Sequence, residues 1–125
     1  MNITKDITLD DMLGITAKDL EKELVMMNLL ALNYKLVKEL TDTAKYVQKI
    51  FDEFGKGVIL CGLRTLEWDQ GVKNRQYVSY HTQGRAVDIY IPGVELSEVA
   101  NWAKKHLPPV ECIIYEKENF IHLAW

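Results

Sequence analysis

The chain has 125 residues, 48% of them hydrophobic, which is about the size of one domain with its own core and excludes a second domain of ordinary size. Its formal charge of -3 comes from 15 basic and 18 acidic residues interspersed along the sequence, so no extended field draws it to nucleic acid. Residues Met1 to Asp11 lack the basic start and apolar stretch of a signal peptide, and no run of about 18 apolar residues occurs; a protein made in the cytoplasm and not inserted in a membrane is expected.

In chain order, Thr16 to Leu32 is apolar-periodic and reads as a helix, with Thr16 and Asp19 as its starting signal. Leu36, Leu40, Ala44, Val47, Phe51 and Phe54 then recur at three- and four-residue intervals among polar residues, the stripe of an amphipathic helix that Gly55 stops. After Gly55 the period changes. Gly57 to Cys61 and Arg85 to Ile91 are short and rich in β-branched residues, as strands are, and the stretch between them, Thr65 to Tyr80, reads as a long loop suited to specificity. Helical spacing returns from Glu95 to His106 and ends at Pro108 and Pro109. Glu111 to Glu116 and Phe120 to Trp125, separated by three residues, read as an antiparallel hairpin.

Helices first and strands later predict an α+β domain spanning residues 1–125: a mainly helical part over 1–55, and over 56–125 a mostly antiparallel sheet with one helix. The helices cover one face of the sheet, and the other is left for a site. Cys61 and Cys112 lie in apolar runs and read as buried thiols rather than a disulfide or metal ligands. Trp102 and Trp125 fall on apolar stripes and read as packing residues, whereas Trp68, in the loop, is expected to line the cleft. His106, at a helix end after two lysines, reads as structural.

The chemistry concentrates in Ser79-Tyr-His81-Thr-Gln-Gly84-Arg-Ala86-Val-Asp88. His81 offers an imidazole nitrogen and Asp88 a carboxylate oxygen, both zinc donors at about 2.0 to 2.2 Å, and Gly84 permits a tight turn into the strand. Alternation puts Ala86, Asp88 and Tyr90 on one face and Val87, Ile89 and Ile91 on the other. With the apolar set on the helices, Asp88 faces outward, where a carboxylate requires solvent or a cation. In the last strand Ile121, Leu123 and Trp125 alternate with Phe120, His122 and Ala124, which points His122 the same way. His81, Asp88 and His122 make a three-donor metal set with the fourth position open, the pattern of a catalytic zinc.

The sequence Ser-x-His-x-x-Gly-x-Ala-x-Asp followed by a late x-His strand resembles the zinc D-alanyl-D-alanine carboxypeptidase and L-alanyl-D-glutamate endopeptidase family, which has the hedgehog/DD-peptidase fold; phage endolysins are among its members. Phe54-Gly55-Lys56, a strand and Cys61-Gly62-Leu63-Arg64-Thr65 are similar to the family's helix, strand and Ser-Gly-Tyr-Arg-Ser turn. The resemblance implies a Zn2+ peptidase acting on peptidoglycan stem peptides, with Arg64 contacting substrate and oxyanion, and Ser79 and Gln83 as further substrate-binding residues. It implies a carboxylate general base as well, for which Tyr115-Glu116 matches a Tyr-Glu pair of phage-type members, with Glu118 as the fallback. A monomer is expected, acting on the cell wall once released during host lysis. The alternative is a catalytically silent zinc-binding interaction module or phage structural component of the same fold.

Overall fold

The computed structural model describes residues 2–15 and 21–125. A first short helix, α1 (Leu9–Leu13), has no counterpart in the apolar periodicity; it is nucleated by a capping box in which Thr8 accepts from the Asp11 N–H and Asp11 from the Thr8 N–H. Thr16 and Asp19, the expected start of the next helix, lie outside the described residues. The helix itself, α2, runs Lys22–Ala31. The long amphipathic helix α3 spans Tyr34–Phe54, with the Asn33 side chain accepting from Leu36 N at 2.9 Å, and it stops at Gly55, where φ is 106°.

Four strands follow: β1 (Val58–Cys61), β2 (Ala86–Tyr90), then helix α4 (Leu96–His106), then β3 (Glu111–Tyr115) and β4 (Phe120–Ala124). They form one sheet in the order β1-β2-β4-β3, with every adjacent pair antiparallel. The expected loop between β1 and β2 contains two helical turns, a π-helical turn at Glu67–Val72 and a 3-10 turn at Tyr80–Gln83. Trp68, on the first of these, is buried with Lys73 over its ring, which corrects the expectation that it lines the cleft. A short π-helical segment turns its side chains at a different angle from an extended loop, and that turns the indole inward.

The helices cover one face of the sheet. Val87, Ile89, Ile121 and Leu123 have no exposed surface and form one cluster with Leu40, Ala44, Val47 and Phe51 of α3 and Val99, Ala100 and Ala103 of α4. The fold is α+β, with its polar strand positions turned to the opposite face. Trp125 closes one end of the sheet, donating from its indole N–H to the Leu107 carbonyl at 2.8 Å and stacking on Tyr46 at 4.8 Å. Trp102 and His106 pack against each other at 4.7 Å, and Trp102 meets Phe54 edge-on. Asn28, fully buried on α2, donates to the Leu13 and Leu63 carbonyls at 3.0 and 2.9 Å, which ties α2 to α1 and to the segment after β1. No described helix is long and apolar enough to cross a membrane.

Candidate metal centre

Two features of the backbone aim the site. On the sheet, Asp88 of β2 lies directly opposite His122 of β4, and His122 lies opposite Ile113 of β3, so the alternation of each strand turns Asp88 and His122 to the face away from the helices. Beside the sheet, the 3-10 turn presents His81. Ser79 begins that turn by accepting from the His81 N–H through Oγ at 3.2 Å, and Gly84 ends it with φ of 70°. Leu36 and Leu40 side-chain carbons would stand 3.2 Å from any Cβ at Gly84, so both φ and space favour glycine there. The Arg64 N–H donates to the His81 carbonyl at 3.2 Å, fastening the turn to the segment that follows β1.

Three side chains meet on one oxygen. His81 Nε2 is 3.2 Å and His122 Nδ1 3.0 Å from Asp88 Oδ1, and the two imidazole rings stand 5.0 Å apart. The second nitrogen of each ring has its own partner. His81 Nδ1 lies 2.7 Å from the Gly62 carbonyl, which can only accept, so Nδ1 carries the proton and Nε2 is the nitrogen turned into the cluster. His122 Nε2 lies 2.9 Å from Glu111 Oε1. A carbonyl behind one histidine and a carboxylate behind the other are partners of the kind that orient imidazoles for metal binding.

Cys61 joins this group. Its Sγ, a ligand atom of His81 and one of Asp88 lie within 4.8 Å of one another, a set that His122 adjoins through Asp88 rather than shares. Both cysteines are free thiols, and Cys112 faces the helices. Nitrogen, oxygen and sulfur donors at this separation suit a zinc-type ion, and the residues present fit one. The electrostatics agree. Burial by itself would lower the His81 pKa, but Cys61 and Asp88 beside the ring outweigh it and raise the value to about 10. Burial would likewise raise the Asp88 pKa, yet hydrogen bonds from His122 and His81 bring it down to about 2. A pocket that holds a proton this firmly also attracts a cation.

The cluster opens into a depression of about 390 Å³ lined by Arg64, Tyr77, Ser79, His81, Asp88, Glu111, Tyr115 and His122 among others. Arg64 thus stands at the site, its Nε 2.7 Å from the fully buried Asp69, which also pairs with Arg75. Ser79 is there too. Gln83 instead accepts from Arg85 and borders a separate depression between α3 and the 3-10 turn. Glu116, in the turn after β3, borders a third, with Tyr90, Pro92 and Asn119. Glu118 lies in the hairpin turn.

Two residues of the site were not assigned to it from the sequence: Glu111 was not singled out, and Cys61 was read as a buried thiol. Glu111 carries a legible signal, since it shares a strand face with Ile113 and Tyr115, but that signal becomes useful only once β3 is known to pair with β4. Cys61 carries none, because an irregularity in β1 decides its direction. No curated protein and no solved structure matches the chain. The family model of Peptidase M15 matches residues 15–124, which include every residue of this centre, and the chain belongs to that family.

Proposed function

We propose that this chain is a zinc metallopeptidase that hydrolyses an amide bond of peptidoglycan stem peptides. Its membership of the M15 peptidases, a metal-dependent family, establishes the coarser class of metallopeptidase. The observation that carries the finer reading is the convergence of His81 Nε2 and His122 Nδ1 on Asp88 Oδ1 at 3.2 and 3.0 Å, at the mouth of a depression that also contains an arginine. In this reading His81, Asp88 and His122 hold the ion. Zinc in such a set supplies Lewis acidity and lowers the pKa of a water toward neutrality.

The remaining work falls to the chain's own groups. Arg64, anchored through Nε to buried Asp69, presents a fixed positive charge for a substrate carboxylate or for the negative charge that develops on the scissile carbonyl oxygen. Ser79 serves as a further polar contact on the wall. Gln83 contacts a longer substrate only where that substrate extends past the depression. A carboxylate must take the proton from the attacking water and return it to the leaving amine. Glu116 is the choice that the family resemblance favours. Glu111 is the carboxylate that, with Asp88, borders the depression, and its bond to His122 suits orientation of that ring. The protein works as a monomer on cell wall made accessible to it during lysis.

Mass spectrometry of stem peptides and of peptidoglycan fragments after exposure to zinc-loaded protein tests this reading. One peptide bond is cut, cleavage stops with a chelator or with Asp88→Ala, and Glu116→Gln against Glu111→Gln identifies the base. Intact substrates after exposure to zinc-loaded protein would defeat it. The silent-module alternative draws support from Cys61, whose thiol lies within 4.8 Å of donors of His81 and Asp88 and would compete with a water for the ion. That reading predicts zinc uptake with no cleaved bond.

A further inference from the structure

Cys61 reaches the centre through a break in register. From Val58 opposite Tyr90 and Ile59 opposite Ile89, a regular antiparallel ladder would set Leu60 opposite Asp88 and turn Cys61 toward the helices. A bulge between Ile59 and Cys61 sets Cys61 opposite Asp88 instead. One added residue exchanges the two faces of a strand, and bulges recur beside sites because they re-aim a side chain in this way. The thiol is 8% exposed. The next residue, Gly62, supplies the carbonyl that fixes the His81 ring, so one dipeptide sets the direction of both the thiol and the imidazole. A Cβ at Gly62 would come within 2.4 Å of the Met12 carbonyl oxygen, and that close approach to α1 holds the dipeptide in place.

We propose that Cys61 is a thiolate donor to the metal held by His81, Asp88 and His122, so that the resting centre has four protein donors. The inference rests on the metallopeptidase reading above and adds to it how the site is restrained. Bond lengths of about 2.0 to 2.3 Å place neighbouring donors of a tetrahedral zinc roughly 3.3 to 3.8 Å apart. His81 Nε2 and Asp88 Oδ1, 3.2 Å apart, and Cys61 Sγ within 4.8 Å of the donors of those two residues approach that arrangement, while His122, 3.0 Å from Asp88 Oδ1 but outside the mutual 4.8 Å set, completes it by a side-chain adjustment toward the ion. On coordination the thiol loses its proton to solvent and a sulfur–metal bond forms, with no change of oxidation state. A thiolate bound there would compete with the water that hydrolysis requires.

Cobalt(II) loading of the metal-free protein tests the assignment. The wild type shows visible d–d bands together with a near-ultraviolet thiolate-to-cobalt charge-transfer band. Cys112→Ser keeps both, because that thiol faces the helices. Cys61→Ser loses the charge-transfer band and retains the visible bands, and in the wild type bound cobalt slows iodoacetamide alkylation of Cys61 but not of Cys112. Visible bands without charge transfer in the wild type overturn the proposal even if Cys61→Ser fails to fold, and so does an unchanged near-ultraviolet band in a folded Cys61→Ser. A wild type that binds no cobalt at all overturns the metal-centre reading, and the role of Cys61 with it.

Discussion

Replacing Glu111 by alanine removes the carboxylate that faces His122 Nε2 at 2.9 Å and leaves the proposed ligands in place. Partners of this kind are worth about 10- to 100-fold in metal affinity. The Glu111 side chain is 40% exposed, so solvent competes for the imidazole N–H and the lower end applies: about tenfold weaker metal binding, or about 1.4 kcal/mol. Glutamine at this position keeps an acceptor oxygen but loses the charge. Charge-assisted hydrogen bonds are about twice as strong as neutral ones, so Glu111→Gln retains roughly half the effect, about a threefold loss. Competition against a chromophoric chelator at fixed pH reads both values, and Glu116→Ala, whose side chain borders a different depression, serves as the control with wild-type affinity. Equal affinity for wild type and Glu111→Ala would show that the bond does no orienting work. A loss in Glu116→Ala as large as that in Glu111→Ala would show that the outer layer has been assigned to the wrong carboxylate.

Gly62→Ala drives a Cβ to 2.4 Å from the Met12 carbonyl oxygen, a backbone atom that cannot swing aside, and is expected to lower stability in urea by about 1 to 3 kcal/mol and to weaken metal uptake through the displaced His81; an unchanged urea midpoint refutes this. Asn28→Ala strips two buried carbonyls of their donor and is expected to cost about 2 to 4 kcal/mol, seen as a lower melting temperature, whereas a shift within error would mean that water replaces the amide. In the metal-free protein the raised His81 pKa contributes stability that is fully present below 6.5 and is lost as pH rises through about 10. The lowered Asp88 pKa contributes stability present above 3.8 and lost as pH falls through about 2. Urea midpoints for the metal-free protein therefore form a plateau between these limits with a decline on each side, and Asp88→Asn removes the acid flank but only lessens the alkaline one, since Cys61 still raises the His81 pKa; a His81 ring signal titrating near 6.5 by NMR contradicts this.

Much of the centre is legible from strand alternation. Val87 and Ile89 had to face the helices, and Ile121 and Leu123 likewise, which turned Asp88 and His122 outward before any pairing was known; the observed register then sets those two residues opposite each other. The helix from Leu36 to Phe54, its stop at Gly55 and the terminal hairpin follow from periodicity and turn residues in the same way. Helix α1 was harder to read, because five residues carry too little periodicity and its capping box sits in a polar stretch. The inward turn of Trp68 depends on a π-helical segment that residue preferences do not signal.

By itself, the sequence determined which residues share a strand face, because the two-residue repeat of an extended chain is a local property. The candidate donors His81, Asp88 and His122 and the side of the sheet on which two of them project follow from that repeat and the motif. What stands around them depends on how the strands pair. Pairing of β3 with β4 brought Glu111 to His122 and left Glu116 beside the β2–α4 connection. A bulge in β1 sets Cys61 opposite Asp88, on the face of the candidate centre instead of the core face. Register and bulges arise from contacts between segments far apart in the chain, and a side chain that such a contact redirects carries no local mark of its destination.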